Sequence, residues 1–305
     1  MRCVNSKYLR KQKSDMNNLM TPRKDTWGFM KLQNCILYVA KYIDEICAAN
    51  GIEYCLMGGS ALGAIRHKGF IPWDDDLDIF MTPDNFEKFR KTHNNKSGFY
   101  LQEWGASNGL VSMAKVRLDK STYIEELFAD WDIHHGVYID IFILHTCPDN
   151  PIKRYWQYFW AKYIVTKGVA VRGVTKRSGL KGLLVRFAML FPDRLLLDYA
   201  LKQVYRFRNE PSQYLCHFMG RALLKTGLYK REYFSSVKKV KFEEIELCVP
   251  QRVEEYLKDR WGDYMKLPSM EEIKKYQHCW KWDVDNYFPG YKPKGDYKDE
   301  LYLLA

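Results

Sequence analysis

Apolar residues recur every three or four positions between Trp27 and Ala49, at Leu32, Ile36, Val39, Ile43, Ile46 and Cys47, and Asn50-Gly51 supplies a stop. This spacing predicts an amphipathic helix. A short apolar run, Tyr54 to Met57, then meets Gly58-Gly59-Ser60, the order of a strand, a turn and a helix start. In the next strand-like run Asp76 and Asp78 stand two apart and project from one face, with Leu77 and Ile79 on the other. Thr82-Pro83-Asp84 opens a helix through Thr92 with Phe86 and Phe89 on one side, and Asn94 to Gly98 breaks it.

Short strands follow at Phe99 to Trp104, Ser112 to Leu118 and Thr122 to Phe128. From Gly136 to Leu144 alternation places Tyr138, Asp140 and Phe142 on one face of a further strand. The pattern predicts an α+β fold, a mixed sheet flanked by helices. From Pro151 aromatic residues interleave with Lys and Arg, and Leu183, Leu184, Phe187, Leu190 and Phe191 continue an apolar series toward Arg208. Strand-like sequence returns at Lys238 to Pro250 and helix at Glu254 to Arg260. The predicted organisation is a polar, basic, loosely docked tail at 1–25, a core at 26–150, a helical basic and aromatic insertion at 151–235, and a C-terminal part at 236–305 that packs back on the core.

With 305 residues, 47% of them hydrophobic, the chain can bury a sizeable core. The eight cysteines form no Cys-x-x-Cys pair and several fall in apolar positions, so reduced core thiols and a cytoplasmic setting are expected. The N-terminal cations lead into polar sequence, not a signal peptide, and no apolar run is long enough to span a bilayer. The net charge of +11 is concentrated: residues 151–208 hold 13 Lys or Arg and two acids. Interleaved cations and aromatics suit an anionic membrane surface, which predicts a peripheral protein of the inner membrane face. They also suit nucleic acid, but no nucleic-acid-binding motif accompanies them.

Asp76, Asp78 and Asp140 suggest one site. Two carboxylates about 4 Å apart repel by roughly 4 kcal/mol at an effective dielectric of 20, so a cation belongs between them. Oxygen ligands favour Mg²⁺ or Mn²⁺. The bland alternative is an acidic loop and an unrelated strand acid paired with Lys115 or Arg117. Gly58, Gly59 and Ser60 form either a plain tight turn or a phosphate grip. Arg66, His67 and Lys68, with Lys115 and Arg117, are candidate anion-binding groups or solvated cations, and Trp73 is a stacking surface or a packing residue. His134, His135, His145 and Cys147 lie close in sequence but match no common zinc spacing.

The run Leu62 to Ile79, with its Gly-Gly-Ser lead and later lone Asp140, resembles the signature of the LicD family, phosphocholine transferases related to fukutin and fukutin-related protein within the nucleotidyltransferase superfamily of DNA polymerase β. Ala114 to Asp119, Phe242 to Pro250 and Trp261 to Pro268 are similar to the same family, so the resemblance covers roughly residues 50 to 145 and 240 to 268. It implies a nucleotidyltransferase-like fold in which Asp76 and Asp78 bridge two cations and Asp140 holds the catalytic one and helps deprotonate the attacking hydroxyl. It also implies a CDP-linked donor such as CDP-choline and a glycan acceptor, free or built on a lipid carrier, as in lipopolysaccharide or teichoic acid synthesis. Nucleotidyl transfer to RNA or a small molecule, and a non-catalytic membrane or glycan binder, are the alternatives.

Overall fold

The computed structural model describes residues 19–93, 98–102, 113–125, 129, 133–171, 193–220, 222–273 and 279–286. The predicted strand ends at Trp104, Ser112 and Phe128, the turn residues 94–97, most of the N-terminal tail and the apolar series from Leu183 to Phe191 lie outside these residues.

Helix α1 (Met30–Asn50) presents Leu32, Ile36, Val39, Ile43 and Cys47 to the interior, as its spacing predicts. Each such buried side chain contributes about 1.5–3 kcal/mol before ordering costs. The helix ends where the Gly51 N–H donates to Cys47 O. Strand β1 (Cys55–Leu56) leads directly into helix α2 (Gly58–Arg66), and strand β2 (Asp78–Met81) into helix α3 (Pro83–Thr92). Thr82 caps α3 by accepting from Asn85 N, with Pro83 in the first turn.

Strands β3 (Phe99–Gln102), β4 (Ala114–Leu118), β5 (Thr122–Glu125) and β6 (Tyr138–Ile143) follow. The central sheet has the order β1-β2-β6-β4-β3, with β2 and β6 parallel and the other pairs antiparallel. Its apolar face lies against α1, where Ala40 and Ile43 meet Leu77, Ile79 and Ile139. The fold is thus α+β with a mixed sheet. One correction concerns β2: it begins at Asp78, so Asp76 sits in the segment that feeds the strand and not in the strand itself.

Strand β7 (His145–Cys147) belongs to a second sheet with β8 (Tyr214–Cys216) and β9 (Leu228–Lys230). Helices α4 (Pro151–Val171) and α5 (Asp193–Tyr205) pack on each other and on this sheet around Ala161, Ile164, Leu197, Val204, Cys216 and Phe218. The stretch expected to be helical therefore also contributes two strands. Some of its cations are engaged by the protein itself. Lys162 Nζ donates to the carbonyls of Phe218, Gly220 and Ala222 at 2.5–3.0 Å, Arg154 Nε donates to Pro148 O, and Arg208 pairs with Asp84.

The hairpin of β10 (Val237–Phe242) and β11 (Ile245–Pro250) precedes α6 (Val253–Trp261), α7 (Met270–Ile273) and β12 (Cys279–Asp283), which pairs with β5. Its turn residue Glu243 is buried and accepts from Arg23, Thr21 N and Phe70 N. The described end of the N-terminal segment, 19–25, is therefore fastened to the core by a buried carboxylate, a tighter attachment than a loose arm. The seven described cysteines are all free thiols, and among the described residues no helix is long and apolar enough to cross a membrane.

Candidate active site

The parallel register of β2 and β6 makes Asp78 and Asp140 direct partners, so both carboxylates rise from one face of the sheet. Lys115 on β4 is the next partner across, and Gln102 on β3 completes the row. Lys115 Nζ lies 2.7 Å from Asp140 Oδ1 and 3.5 Å from Glu125 Oε2, and its ammonium stands 3.5 Å over the Tyr138 ring. Burial raises the Asp140 pKa against the opposing pull of Lys115.

The loop before β2 adds more acid. Asp74, Asp75 and Asp76 each offer an oxygen within 4.8 Å of the others. Burial first, then the charges of Asp76, Asp140 and Asp74, push the Asp78 pKa well above the carboxylate range, and burial with Asp76 and Asp75 does the same to Asp74. Within this loop Asp75 has a separate job: it is fully buried and its Oδ2 accepts from Cys279 N at 2.7 Å, which ties β12 to the loop. Gln33 on α1 steadies the same loop by donating to Ile71 O and Asp74 O.

Facing these acids is the start of α2. Gly58 has φ +52, a conformation that side chains other than glycine adopt at a cost. A Cβ on Gly59 would stand 3.2 Å from Asp74 Oδ2, so the missing side chain lets the acidic loop approach the helix N-terminus. Ser60 Oγ accepts from Asp78 N at 2.8 Å, which leaves the Ser60 hydroxyl proton to donate elsewhere. The Gly58 N–H already donates to the buried Tyr256 hydroxyl, so Gly59 and the Ser60 hydroxyl are the donors that face the acids.

Of the predicted ligand-binding residues Arg117 is an internal brace, and Arg66 is engaged by a neighbouring loop. Arg117 is 1% exposed and donates to Gln102 Oε1 and Gly136 O beneath the Tyr138 ring, so it holds the sheet and cannot meet a substrate. Arg66 donates to Tyr264 O, Lys266 O and His67 Nε2, fastening the 261–268 loop to α2. Burial and the neighbouring Arg66 and Arg23 push the His67 pKa down to about 4, so at neutral pH its ring is uncharged. Lys68 is exposed, with φ +58, and closes the turn by accepting Glu243 N on its carbonyl. Trp73 is half-buried, 5.9 Å from Trp27 and edge-on to His67.

Of the residues considered for zinc, His134 and His145 are engaged separately. His134 contacts Asp119 at 3.0 Å and stacks on Tyr100, while His145 packs edge-on to Tyr205. Among the described residues the only three His, Cys, Asp or Glu side chains whose ligand atoms all lie within 4.8 Å of one another are Asp74, Asp75 and Asp76, so Asp76, Asp78 and Asp140 are not drawn that close together. Sequence reasoning undervalued Asp74 and missed Gln33, Tyr256 and Glu243. The run of three Asp residues was the available signal for Asp74.

Residues 51–168 match a protein-family model described as LicD/FKTN/FKRP, nucleotidyltransferase domain. The chain is 29% identical over 249 residues to the lipopolysaccharide cholinephosphotransferase LicD of Haemophilus influenzae, an alignment that covers 78% of this chain and 91% of that protein. It is 35% identical over 66 residues to the human and mouse ribitol 5-phosphate transferase FKRP, covering 22% of this chain and 13% of each relative. The matched segment contains the glycine turn, the acidic loop and Asp140, so the chain carries a LicD-type domain at residues 51–168 and is similar to LicD and to fukutin-related protein.

Proposed function

We propose that the protein transfers a substituted phosphoryl group, phosphocholine or a relative such as ribitol phosphate, from a CDP-linked donor to a sugar hydroxyl of a cell-surface glycan. The observation that carries this reading is the parallel register pair of Asp78 and Asp140, set before a glycine turn in a LicD-type domain. We read the core as nucleotidyltransferase-like on the same grounds.

The donor set fits Mg²⁺ or Mn²⁺. It is all oxygen, and the raised pKa values of Asp74 and Asp78 reflect burial and carboxylate repulsion that a bound cation relieves. Asp76, Asp78 and Asp140 would hold the metal, with Asp74 beside them. When bound, the cation supplies charge neutralisation at the donor phosphates and acidifies the acceptor hydroxyl.

The chain's own groups account for the remaining work. The Gly59 N–H and the Ser60 hydroxyl orient a phosphate oxygen of the donor. Asp140, made more basic by burial and steadied by Lys115, accepts the proton of the attacking sugar hydroxyl. The sugar oxygen bonds to the phosphorus that carries the headgroup, the bond between the two donor phosphates breaks, and CMP leaves.

A panel of CDP-choline, CDP-ribitol, CDP-glycerol and CDP-ethanolamine, assayed for CMP release with Mg²⁺, tests the reading. Release from one member of the panel, accelerated by glycan, is expected. Inert CDP compounds together with pyrophosphate release from a nucleoside triphosphate would transfer the site to nucleotidyl chemistry.

A further inference from the structure

Helix α4 carries Ile152, Tyr155, Trp156 and Phe159 at positions i, i+3, i+4 and i+7, so all four share one face. A row with this spacing ordinarily turns inward, yet these side chains are 80, 61, 41 and 57% exposed. The opposite face does the packing, through Gln157, Ala161 and Ile164. Gln157 is fully buried and donates to Thr146 O and Val204 O, which fixes the rotation of the helix and keeps the apolar row outside.

The exposed face continues onto α5. Trp156 Nε1 donates to Gln203 Oε1 at 3.0 Å, the Trp160 ring lies 5.0 Å from Tyr199, and Tyr199 is itself 43% exposed. Lys202 is exposed on α5 and Arg206 just past its end, and Lys153 is half exposed on α4. Acids are scarce here: residues 151–208 contain only Asp193 and Asp198, and Glu210 is paired with Lys153.

We propose that this aromatic, cation-rimmed face is a docking surface for a lipid bilayer containing anionic lipids. Tyr and Trp rings with Ile and Phe beside them suit the boundary between headgroups and acyl chains, and the flanking Lys and Arg meet lipid phosphates. Charge decides against a second copy of the chain, because self-association would bring two cationic rims together. Shape and chemistry decide against nucleic acid: the row lies on a convex helix and includes Ile152, which has no ring on which a base could stack. The inference goes beyond the transfer reaction, and its test is read without turnover.

The test uses the full chain with sucrose-loaded vesicles of phosphatidylcholine, alone or mixed with phosphatidylglycerol. The unmodified protein is expected to sediment with the mixed vesicles and to be released by salt. Ile152→Ser, Tyr155→Ser and Phe159→Ser combined should lower the partition at least about tenfold, and Lys202→Glu with Arg206→Glu about tenfold. CMP release from a soluble donor should be unchanged in both variants. Brominated lipid should quench the tryptophan emission of the unmodified protein, less so in Trp156→Phe, which keeps the test valid if the triple variant fails to fold. No partition into mixed vesicles, or equal partition of the folded triple variant, overturns the proposal. So does a dimer or an oligonucleotide complex that the triple variant loses while vesicles are ignored.

Discussion

Lys115 lies 2.7 Å from Asp140, and their side chains are only 3% and 13% exposed. Asp140 is in turn the register partner of Asp78, so a single row across the sheet runs from the acidic loop to an interior ammonium. Lys115 is the cation nearest these acids, and it also serves Glu125.

Replacing Lys115 by Met therefore leaves two largely covered carboxylates, 13% and 25% exposed, without their cation. The expected cost in the absence of divalent cation is about 3–5 kcal/mol, and Mg²⁺ should restore more stability to the variant than to the parent. Thermal melts with and without Mg²⁺ measure both effects. A variant that melts like the parent would show that the ion pair carries no weight.

Asp78 presents the opposite sign. Its pKa is raised by burial and by Asp76, Asp140 and Asp74, so its charge opposes folding when no cation is bound. Asp78→Asn should keep or raise the metal-free melting temperature while lowering CMP release on the order of a thousandfold or more. A clear loss of metal-free stability would place Asp78 among structural acids.

Gly59 and Gly63 separate site from scaffold. Gly59→Ala sets a Cβ 3.2 Å from Asp74 Oδ2 and should weaken donor use about tenfold by displacing that carboxylate. Its melting temperature should hardly move. Gly63→Ala drives a Cβ to 2.6 Å from the Gly69 carbonyl and should destabilise by about 1–3 kcal/mol. The same phenotype in both variants would dissolve the distinction.

Acid should act on two buried histidines, His145 against Tyr205 and His217 against Phe80 and Phe142. Burial pushes the pKa of His145 down to about 3 and that of His217 down to about 4. Below about pH 6.5 the unfolded chain protonates these two rings and the folded chain does not, so their contribution to stability falls as pH falls, against the opposite contribution of the raised acids Asp74 and Asp78. From pH 7.5 to 5 the two histidines together should remove about 4 kcal/mol, and His145→Phe should halve that slope. Denaturant titrations of the parent and of His145→Phe across this range measure it, and equal slopes in the two proteins would contradict the burial of the His145 ring as a neutral group.

Short-range pattern was enough to read α1 and the strand–turn–helix around Gly58, because periods of 3.6 and 2 are local properties of the chain, whereas the pairing that brings Asp78 beside Asp140 is long-range. It could not tell an exposed arginine from a buried one. Every residue of β4 is covered, so alternation along that strand gave no warning that Arg117 lies inside. Other braces come from far away in sequence: Tyr256 meets Gly58 across 198 residues, and Glu243 meets Arg23 across 220. Pairings of that kind leave no trace in local spacing, and the contact of the Arg66 guanidinium with the loop carbonyls of Tyr264 and Lys266 is another of them.

The claim on which the rest depends is that carboxylates from the Asp74–Asp78 segment and from β6 share a divalent cation. Titration of the metal-free protein with Mn²⁺, followed by electron paramagnetic resonance, tests it most directly. The account predicts saturable Mn²⁺ binding, displaced by Mg²⁺ and lost in both Asp78→Asn and Asp140→Asn while the fold is retained. Mn²⁺ binding that survives both substitutions, or its absence from the unmodified protein, would contradict it.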